Sequence, residues 1–442
     1  MSANVVAVIP VLDEAATIAS VIAELRQTSV ERVIVVDGGS RDDTVACAQA
    51  AGAEVISEPR PGYGRACLAG ARAADAAEVV LFLDGDGSDD ARAADRLVGP
   101  ILAGEADLVL GARRWAEPGA IAPAARLGNA FASRVIRVLY GGRVSDLAPF
   151  KAVRGEVLRS LEFRQLTYGW TTELLVSAAR RRLRILEQPV RARRRGGGHS
   201  KVSGTVRGSV LAGAAILRAL LSPVAMDRLL VMAKAPRAGQ AKTRLAAAVG
   251  APAAAALAEA FLADTLALVR GLPGVQIGLF CPAGDRAALR ACYPVLVEEQ
   301  RSSGLFAGLE EALARSRAVG FRRTVLLDGD SPTLPRQRLI EAFAALRRAD
   351  VVLGPTADGG YYLIGARCPL PPGSLTVDVP PPAVFSATVA ALRAAGLRVH
   401  VLAPWFDVDT GEDLARLQQE LAQAPQRAPA TAAVLTQLGR GG

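Results

Sequence analysis

Short runs of β-branched and aliphatic residues recur along the chain, each followed by an Ala-rich stretch with helical spacing. Val5 to Pro10, Val33 to Asp37, Val79 to Asp84 and Leu108 to Leu110 read as strands, and Leu127 to Tyr140 as one of the helices between and after them. Such alternation predicts βαβ units and a mostly parallel sheet. The pattern then restarts, with strands predicted at Arg228 to Ala233, Val275 to Cys281, Thr324 to Asp328, Val351 to Leu353 and Val399 to Leu402. The restart has a polar echo: Val79 to Asp90 (VVLFLDGDGSDD) and Thr324 to Pro335 (TVLLDGDSPTLP) both set Asp-Gly-Asp at the end of an apolar run. Two α/β domains in tandem are expected, over residues 1–222 and 223–425. The break falls where Pro223 stops a helix, and residues 426–442 are expected to form a flexible tail.

Composition agrees with this reading. The chain has 442 residues, room for two to three domains of roughly 150 residues each. Apolar residues make up 51% and aromatics only 5%, so the cores are built from Ala, Val and Leu, as suits sheets covered by helices. The net charge of +9 is concentrated in arginine clusters at Arg180 to Arg184 and Arg191 to Arg195. No nucleic-acid-binding signature accompanies them, so no nucleic acid is expected, and phosphorylated small molecules or an anionic membrane surface explain the excess. Five cysteines with no C-x-x-C pair suggest neither a disulfide framework nor a zinc site. With no export leader read at the start, a cytoplasmic protein is expected, with peripheral contact at the inner face of a membrane left open. Apolar runs such as Val210 to Leu217 fall short of the roughly 18 residues of a membrane span. Val202 to Leu221 reads as a helix closing the first core or as an interfacial amphipathic helix.

In an open parallel sheet, ligands bind beyond the carboxyl ends of the strands. Three polar segments stand there in the first half: Pro10 to Glu14, Asp37 to Thr44 and Asp84 to Asp90. Asp84 and Asp86 flank a glycine and can share a hard divalent cation, Mg²⁺ or Mn²⁺, that neutralises a diphosphate. A solvated turn is the alternative. Arg191 to Lys201 (RARRRGGGHSK) surrounds a glycine run with cations, as a phosphate-wrapping loop must. Glu173 would stand on the first turn of a helix capped by Thr171 or Thr172, serving as a general base toward a hydroxyl acceptor or as a partner of the helix dipole.

The ordered set V-I-P-x-L-D-E, V-V-D-G-G-S-x-D-x-T and D-G-D resembles glycosyltransferase family 2, the GT-A group that includes dolichyl-phosphate mannose and glucose synthases. The resemblance spans roughly residues 4 to 218. It implies that Pro10, Glu14, Asp37 and Gly38 hold a nucleotide and that Asp84 and Asp86 hold the metal on a nucleotide diphosphate sugar. Asp13 stands where the family usually has Asn, and D-G-G-S replaces D-D-G-S. Arg195, Gly198, Ser200 and Lys201 match the R-x-x-G-x-S-K segment of polyprenyl-phosphate sugar transferases, implying phosphate contacts from Arg195, Ser200 and Lys201. Tyr168 to Glu173 resembles the acceptor-side segment, and Asp146 the edge of the acceptor pocket.

In the second half, Lys234, Gly239, Lys242 and Arg244 follow a strand without forming a Walker A loop, and Asp330, Asp358 to Tyr362 and Phe406 to Thr410 come later. Together they resemble GT-A-like nucleotidyltransferases, a group similar to phospholactate and molybdenum-cofactor guanylyltransferases, over about residues 228 to 420. By that resemblance Lys242 and Arg244 meet phosphates, while Asp330 and one of Asp407 or Asp409 hold a metal. Asp328 is an addition to the usual Gly-x-Asp-x-Pro.

The expectation is therefore two GT-A-like, Rossmann-related domains in tandem. The first is a metal-dependent, inverting glycosyltransferase acting toward a phosphorylated or lipid-linked acceptor, and the second a nucleotide-binding transferase-like domain. One rival gives the chemistry to the second half, as nucleotidyl transfer, with the first as a binding module. Another is a non-catalytic nucleotide or nucleic-acid binder.

Overall fold

The computed structural model describes residues 3–117, 123–140, 144–167, 169–196, 214, 217–220 and 224–440. The chain divides into two compact units, Met1–Val224 and Ala225–Gly442.

The first unit holds seven strands: β1 (Val5–Val11), β2 (Arg32–Asp37), β3 (Glu54–Ser57), β4 (Val79–Phe82), β5 (Leu108–Ala116), β6 (Lys151–Arg154) and β7 (Ile185–Ala192). They lie in the order β3-β2-β1-β4-β6-β5-β7. All pairings are parallel except the two made by β6, which runs against β4 and β5. The second unit holds β8 (Asp227–Met232), β9 (Val275–Cys281), β10 (Leu296–Glu299), β11 (Arg323–Leu327), β12 (Val351–Pro355), β13 (Tyr361–Ala366) and β14 (Val399–Val401). Their order, β10-β9-β8-β11-β13-β12-β14, is the same permutation, again with one reversed strand, β13. The tandem α/β reading is thus what the structure has, down to the Asp-Gly-Asp that follows β4 and β11.

The central strands are buried on both faces, so their sequences are continuous apolar runs: Val5 to Ile9, Val79 to Phe82 and Leu229 to Val231 are almost fully enclosed. These runs are legible in the sequence. Four of the strands that escape the pattern, β3, β6, β7 and β10, are short or mixed in polarity; the fifth, β13, is a buried apolar run that follows the Asp358 to Gly360 turn and is missed all the same. β6 begins with a fully buried lysine, and β7 carries Glu187, Gln188 and Pro189. The helix predicted from Leu127 starts at Pro123, since proline suits a first helical turn. Of the predicted Val202–Leu221 helix, most lies outside the described residues.

The C-terminal segment is a correction. In place of a flexible tail, Pro429–Arg440 is a helix packed on the helix Ala251–Val269. The buried carboxylate of Asp264 accepts from the Ala430 amide (3.0 Å), the Thr431 amide (2.8 Å) and the Thr431 hydroxyl (2.7 Å). A carboxylate at a helix N-terminus satisfies amides that would otherwise be orphaned, which composition alone does not reveal. Ala251–Val269 is also, by length and composition, apolar enough to cross a membrane. In this fold it is a core helix, with Leu257, Phe261, Leu262 and Leu266 buried.

Replacing Asp264 with Ala leaves those donors buried without an acceptor, at a cost of roughly 2–3 kcal/mol. Urea unfolding should show a lowered midpoint for the C-terminal unit in Asp264→Ala, with the N-terminal unit's transition unchanged.

Candidate functional site

In the first unit, the loops after β1, β2 and β4 meet at one end of the sheet. Thr17 donates from its hydroxyl to the Gly85 carbonyl (2.8 Å), tying the segment after β1 to the Asp-Gly-Asp loop. Gly85 is packed so closely on β1 that a Cβ there would fall 2.6 Å from a Val11 methyl. The segment after β2 is held just as firmly. Asp13, at φ 52°, donates its amide to Ser40 Oγ (2.9 Å) and accepts from the Arg41 amide (2.8 Å), while the Glu14 amide donates to Thr44 Oγ1 (2.8 Å). The Gly38 amide donates to the Val11 carbonyl (2.9 Å). Asp37 is buried, its carboxylate accepting from the Gly39 and Ser40 amides at 3.1 Å. Pro10 lies in β1 opposite Val36. The structure therefore brings Pro10, Glu14, Asp37 and Gly38 together at adjoining strand ends, where the strand order of an open parallel sheet sets them.

Beyond β4, Asp86 is buried; it accepts from the Ser88 amide (2.9 Å) and from Arg195 Nε (2.7 Å). Arg195 also lies 3.7 Å from Glu14. The strand β7 delivers it: the Arg193 amide donates to the Ser88 carbonyl (2.8 Å) and the Gly196 amide to the Asp86 carbonyl (3.1 Å). The expected phosphate-binding arginine thus rests on an expected metal-binding carboxylate. Ser200 and Lys201 lie outside the described residues.

Two groups escape the motif reading. Asp89 is 2% exposed and accepts from the Asp84 amide at 3.3 Å, so a third carboxylate adjoins the pair. Lys151, the first residue of the reversed strand β6, is 0% exposed; its Nζ donates to Thr171 Oγ1 (3.1 Å) and lies 5.2 Å from the centre of the Trp170 ring. A buried strand residue is not expected to be charged, and only the isolated lysine in A-P-F-K-A-V could signal it.

The electrostatics follow from this crowding. Burial, and then the neighbouring Asp86, push the Asp84 carboxyl up to about 6 despite Lys151. Burial, and then Asp84, push Asp89 up to about 7. Burial pulls Lys151 down to about 8 against the pull of Cys67, Asp84 and Asp89. Among the described residues no three His, Cys, Asp or Glu side chains enclose a cation. Asp84 and Asp86 fit Mg²⁺ or Mn²⁺ on a different ground. Two hard carboxylates of like charge, crowded in a low-dielectric site, leave most of the coordination shell to ligand oxygens and water.

The acceptor-side candidates are held by structural bonds. Asp146 forms a two-pronged ion pair with Arg113 (2.6 and 2.7 Å), and its Oδ1 also accepts from the Asn129 amide group (3.0 Å). Glu173 is buried on the first turn of the helix Trp170–Arg180, and its Oε2 accepts from the amides of Arg164 (2.9 Å) and Gln165 (2.7 Å). Burial raises its pKa, only partly opposed by those amides. The helix is not capped by Thr171 or Thr172: Gly169 is the cap residue, and Thr171 instead accepts from Lys151.

The second unit has a cavity of about 490 Å³ beyond the ends of β8 and β11, lined by Lys234, Lys242, Arg244, Asp328, Asp330, Tyr361, Asp407 and Asp409 among others. Lys242, at φ 49° and 6% side-chain exposure, places its ammonium 2.9 Å from Asp330 and 2.7 Å from Asp409. Arg244 lies 3.8 Å from Asp409. The residues expected to meet phosphate are thus paired with those expected to hold metal. Burial works against the Lys242 ammonium, but the two carboxylates outweigh it and its pKa rises. Asp328, unassigned from sequence, has one oxygen on the Ser331 hydroxyl (2.9 Å) and the other buried with no hydrogen-bond partner among the described residues. Burial and Asp330 raise its carboxyl strongly, while burial, Asp358 and Asp409 push Asp407 to about 6.

Comparison with known proteins follows the same division. The profile of glycosyl transferase family 2 matches residues 6–152. Residues 265–387 match a family described as an uncharacterized protein conserved in bacteria (DUF2064). An uncharacterized glycosyltransferase of Mycobacterium tuberculosis is 40% identical over 208 residues, covering 47% of this chain and 94% of the relative. An undecaprenyl-phosphate mannosyltransferase of Micrococcus luteus is 30% identical over 225 residues, covering 47% of this chain and 91% of the relative. Among solved structures, glucosyl-3-phosphoglycerate synthase from M. tuberculosis with Mn²⁺, UDP-glucose and phosphoglyceric acid is 29% identical. It covers 51% of this chain and 82% of that one, with a TM-score of 0.42.

A carboxyl held above its ordinary value of 3.8 costs stability as it ionises, because the unfolded chain gives up the proton more readily. Asp84 and Asp89 therefore withdraw stability from the metal-free protein as pH rises from about 4 through about 7. Asp84→Asn and Asp89→Asn should each flatten that fall in the urea midpoint of the N-terminal unit measured across this range.

Proposed function

The N-terminal half of this chain belongs to glycosyltransferase family 2, and from that premise we propose that it moves a sugar from a nucleotide diphosphate sugar to a phosphate-bearing acceptor with inversion at the anomeric carbon. The observation that carries the reading is the convergence of Asp84, Asp86, Arg195 and the nucleotide-side residues Glu14 and Asp37 at one sheet end.

In this reading Asp84 and Asp86 would hold Mg²⁺ or Mn²⁺, which would supply positive charge to a bound diphosphate. Arg195, already on Asp86, provides a second positive charge where the glycosidic bond breaks. The buried Lys151 favours the ionised form of Asp84 and so offsets part of the repulsion within the pair. An acceptor phosphate is already an anion and needs no base to attack carbon. That fits Glu173, whose carboxylate is engaged by two backbone amides, and Asp146, whose oxygens are taken by Arg113 and Asn129. The name of the Micrococcus luteus relative supports a polyprenyl phosphate as acceptor.

A second reading concerns the C-terminal unit. The cavity with Lys234, Lys242 and Arg244 beside four carboxylates supports binding of a nucleotide there and, as an alternative centre of activity, nucleotidyl transfer.

Thermal unfolding of the purified chain with UDP-sugars, GDP-sugars or nucleoside triphosphates, each with and without Mn²⁺, tests both readings. A sugar nucleotide should raise the Tm by several degrees only when metal is present, by mass action on the folded state. The shift should vanish in Asp86→Ala and persist in Asp330→Ala. Stabilisation by triphosphates alone, lost in Asp330→Ala, would move the chemistry to the C-terminal unit.

A further inference from the structure

The helix Pro123–Tyr140 has two faces of unequal logic. Ala132, Ser133 and Ile136 are buried, and the helix packs against Trp170–Arg180. On the outer face Phe131 is 57% exposed and Val138 71%, with the partly exposed Val135 between them. Positions 131, 135 and 138 are spaced i, i+4, i+7, so the three side chains stand in one line along two turns. Arg134 borders that line and Arg137 stands one step further round the same side, both exposed.

A row of apolar side chains facing water is unfavourable, and the arginines beside it identify what relieves it. A helix lying in the plane of an anionic bilayer sinks apolar side chains to the acyl boundary and spreads cationic ones over lipid phosphates. The chain's net charge of +9 adds long-range attraction to the same surface. Nearby in sequence, Trp115 at the end of β5 is 55% exposed, and an indole suits the headgroup region. The helix is also joined to the acceptor side, because Asn129 on it donates to Asp146, the partner of Arg113.

We propose that the outer face of Pro123–Tyr140 docks the N-terminal unit on an anionic lipid bilayer. This surface is distinct from the donor site, and the inference stands on the helix whether or not the acceptor is a lipid.

The test is co-sedimentation of the full chain with vesicles of phosphatidylcholine alone or mixed with phosphatidylglycerol. Wild type is compared with Phe131→Ser/Val138→Ser and Arg134→Gln/Arg137→Gln. Wild type should bind the anionic vesicles only, more weakly as salt rises, and each double variant should lose about tenfold in affinity. Retained Tm shifts with a sugar nucleotide and Mn²⁺ would show the variants folded. Variants that bind vesicles like wild type overturn the proposal, as does a wild-type dimer in sedimentation velocity that Phe131→Ser/Val138→Ser abolishes. Vesicle binding without any sugar-nucleotide shift in wild type would count against the transfer reading alone.

Discussion

Carboxylates crowded at the end of one buried strand repel each other, and in both units the neighbouring loops are arranged around that repulsion. In the first unit Asp84, Asp86 and Asp89 share the space beyond β4, with Arg195 brought in by β7 and Lys151 by β6. In the second, Asp328 and Asp330 follow β11, with Asp407 and Asp409 supplied by a later loop and Lys242 set between two of the four. Charge of this kind is costly to bury unless a cation accompanies it. Each unit supplies part of that positive charge from its own chain: Arg195 and Lys151 in the first, Lys242 in the second.

The backbone makes the crowding sustainable. Gly85 sits against Val11 with no room for a side chain, and Thr17 fixes its carbonyl, so the two flanking aspartates have little freedom to move apart. Lys242 holds a left-handed conformation that costs a non-glycine residue about 1 kcal/mol or more. That conformation sets its ammonium within 2.9 Å of Asp330 and 2.7 Å of Asp409. Local strain and charge compensation are coupled here: the backbone angle aims the ammonium.

Much of this is readable from the chain because continuous apolar runs reveal strands buried on both faces, and the polar residues just after them fall at the ligand-binding edge by topology. Asp37, Asp84 and Asp86 are legible in that way, and Arg195 by its place in a cationic, glycine-rich segment. Groups delivered by strands with no such signature are not. Lys151 is the first residue of a four-residue strand, and nothing in its neighbours' spacing says that the chain reverses there. Asp89 looks like one more polar turn residue until its burial is seen. Asp328 differs from the pattern it resembles, and sequence offers no way to tell a spare carboxylate from one enclosed in a cavity wall. The C-terminal helix is hidden for a similar reason, since its anchor, Asp264, lies more than 160 residues earlier.

The reversed strand in each sheet has a further meaning. Parallel strands present their last residues to the ligand edge, so whatever they contribute is constrained by the loop that follows. A strand running the other way presents its first residues there, and they are held by the ladder rather than by a loop. In the first unit the leading residue is the lysine at 151, laddered to Phe82 and Leu110; in the second the strand starts three residues earlier, and the position that matches Lys151 in register is Ile364, laddered to Leu326 and Leu353. One register position thus carries a buried cation in one half of the chain and a buried aliphatic side chain in the other. The charge that lies behind Asp84 is set from a strand outside the Asp-Gly-Asp motif, and the second unit has no such charge at the matching place.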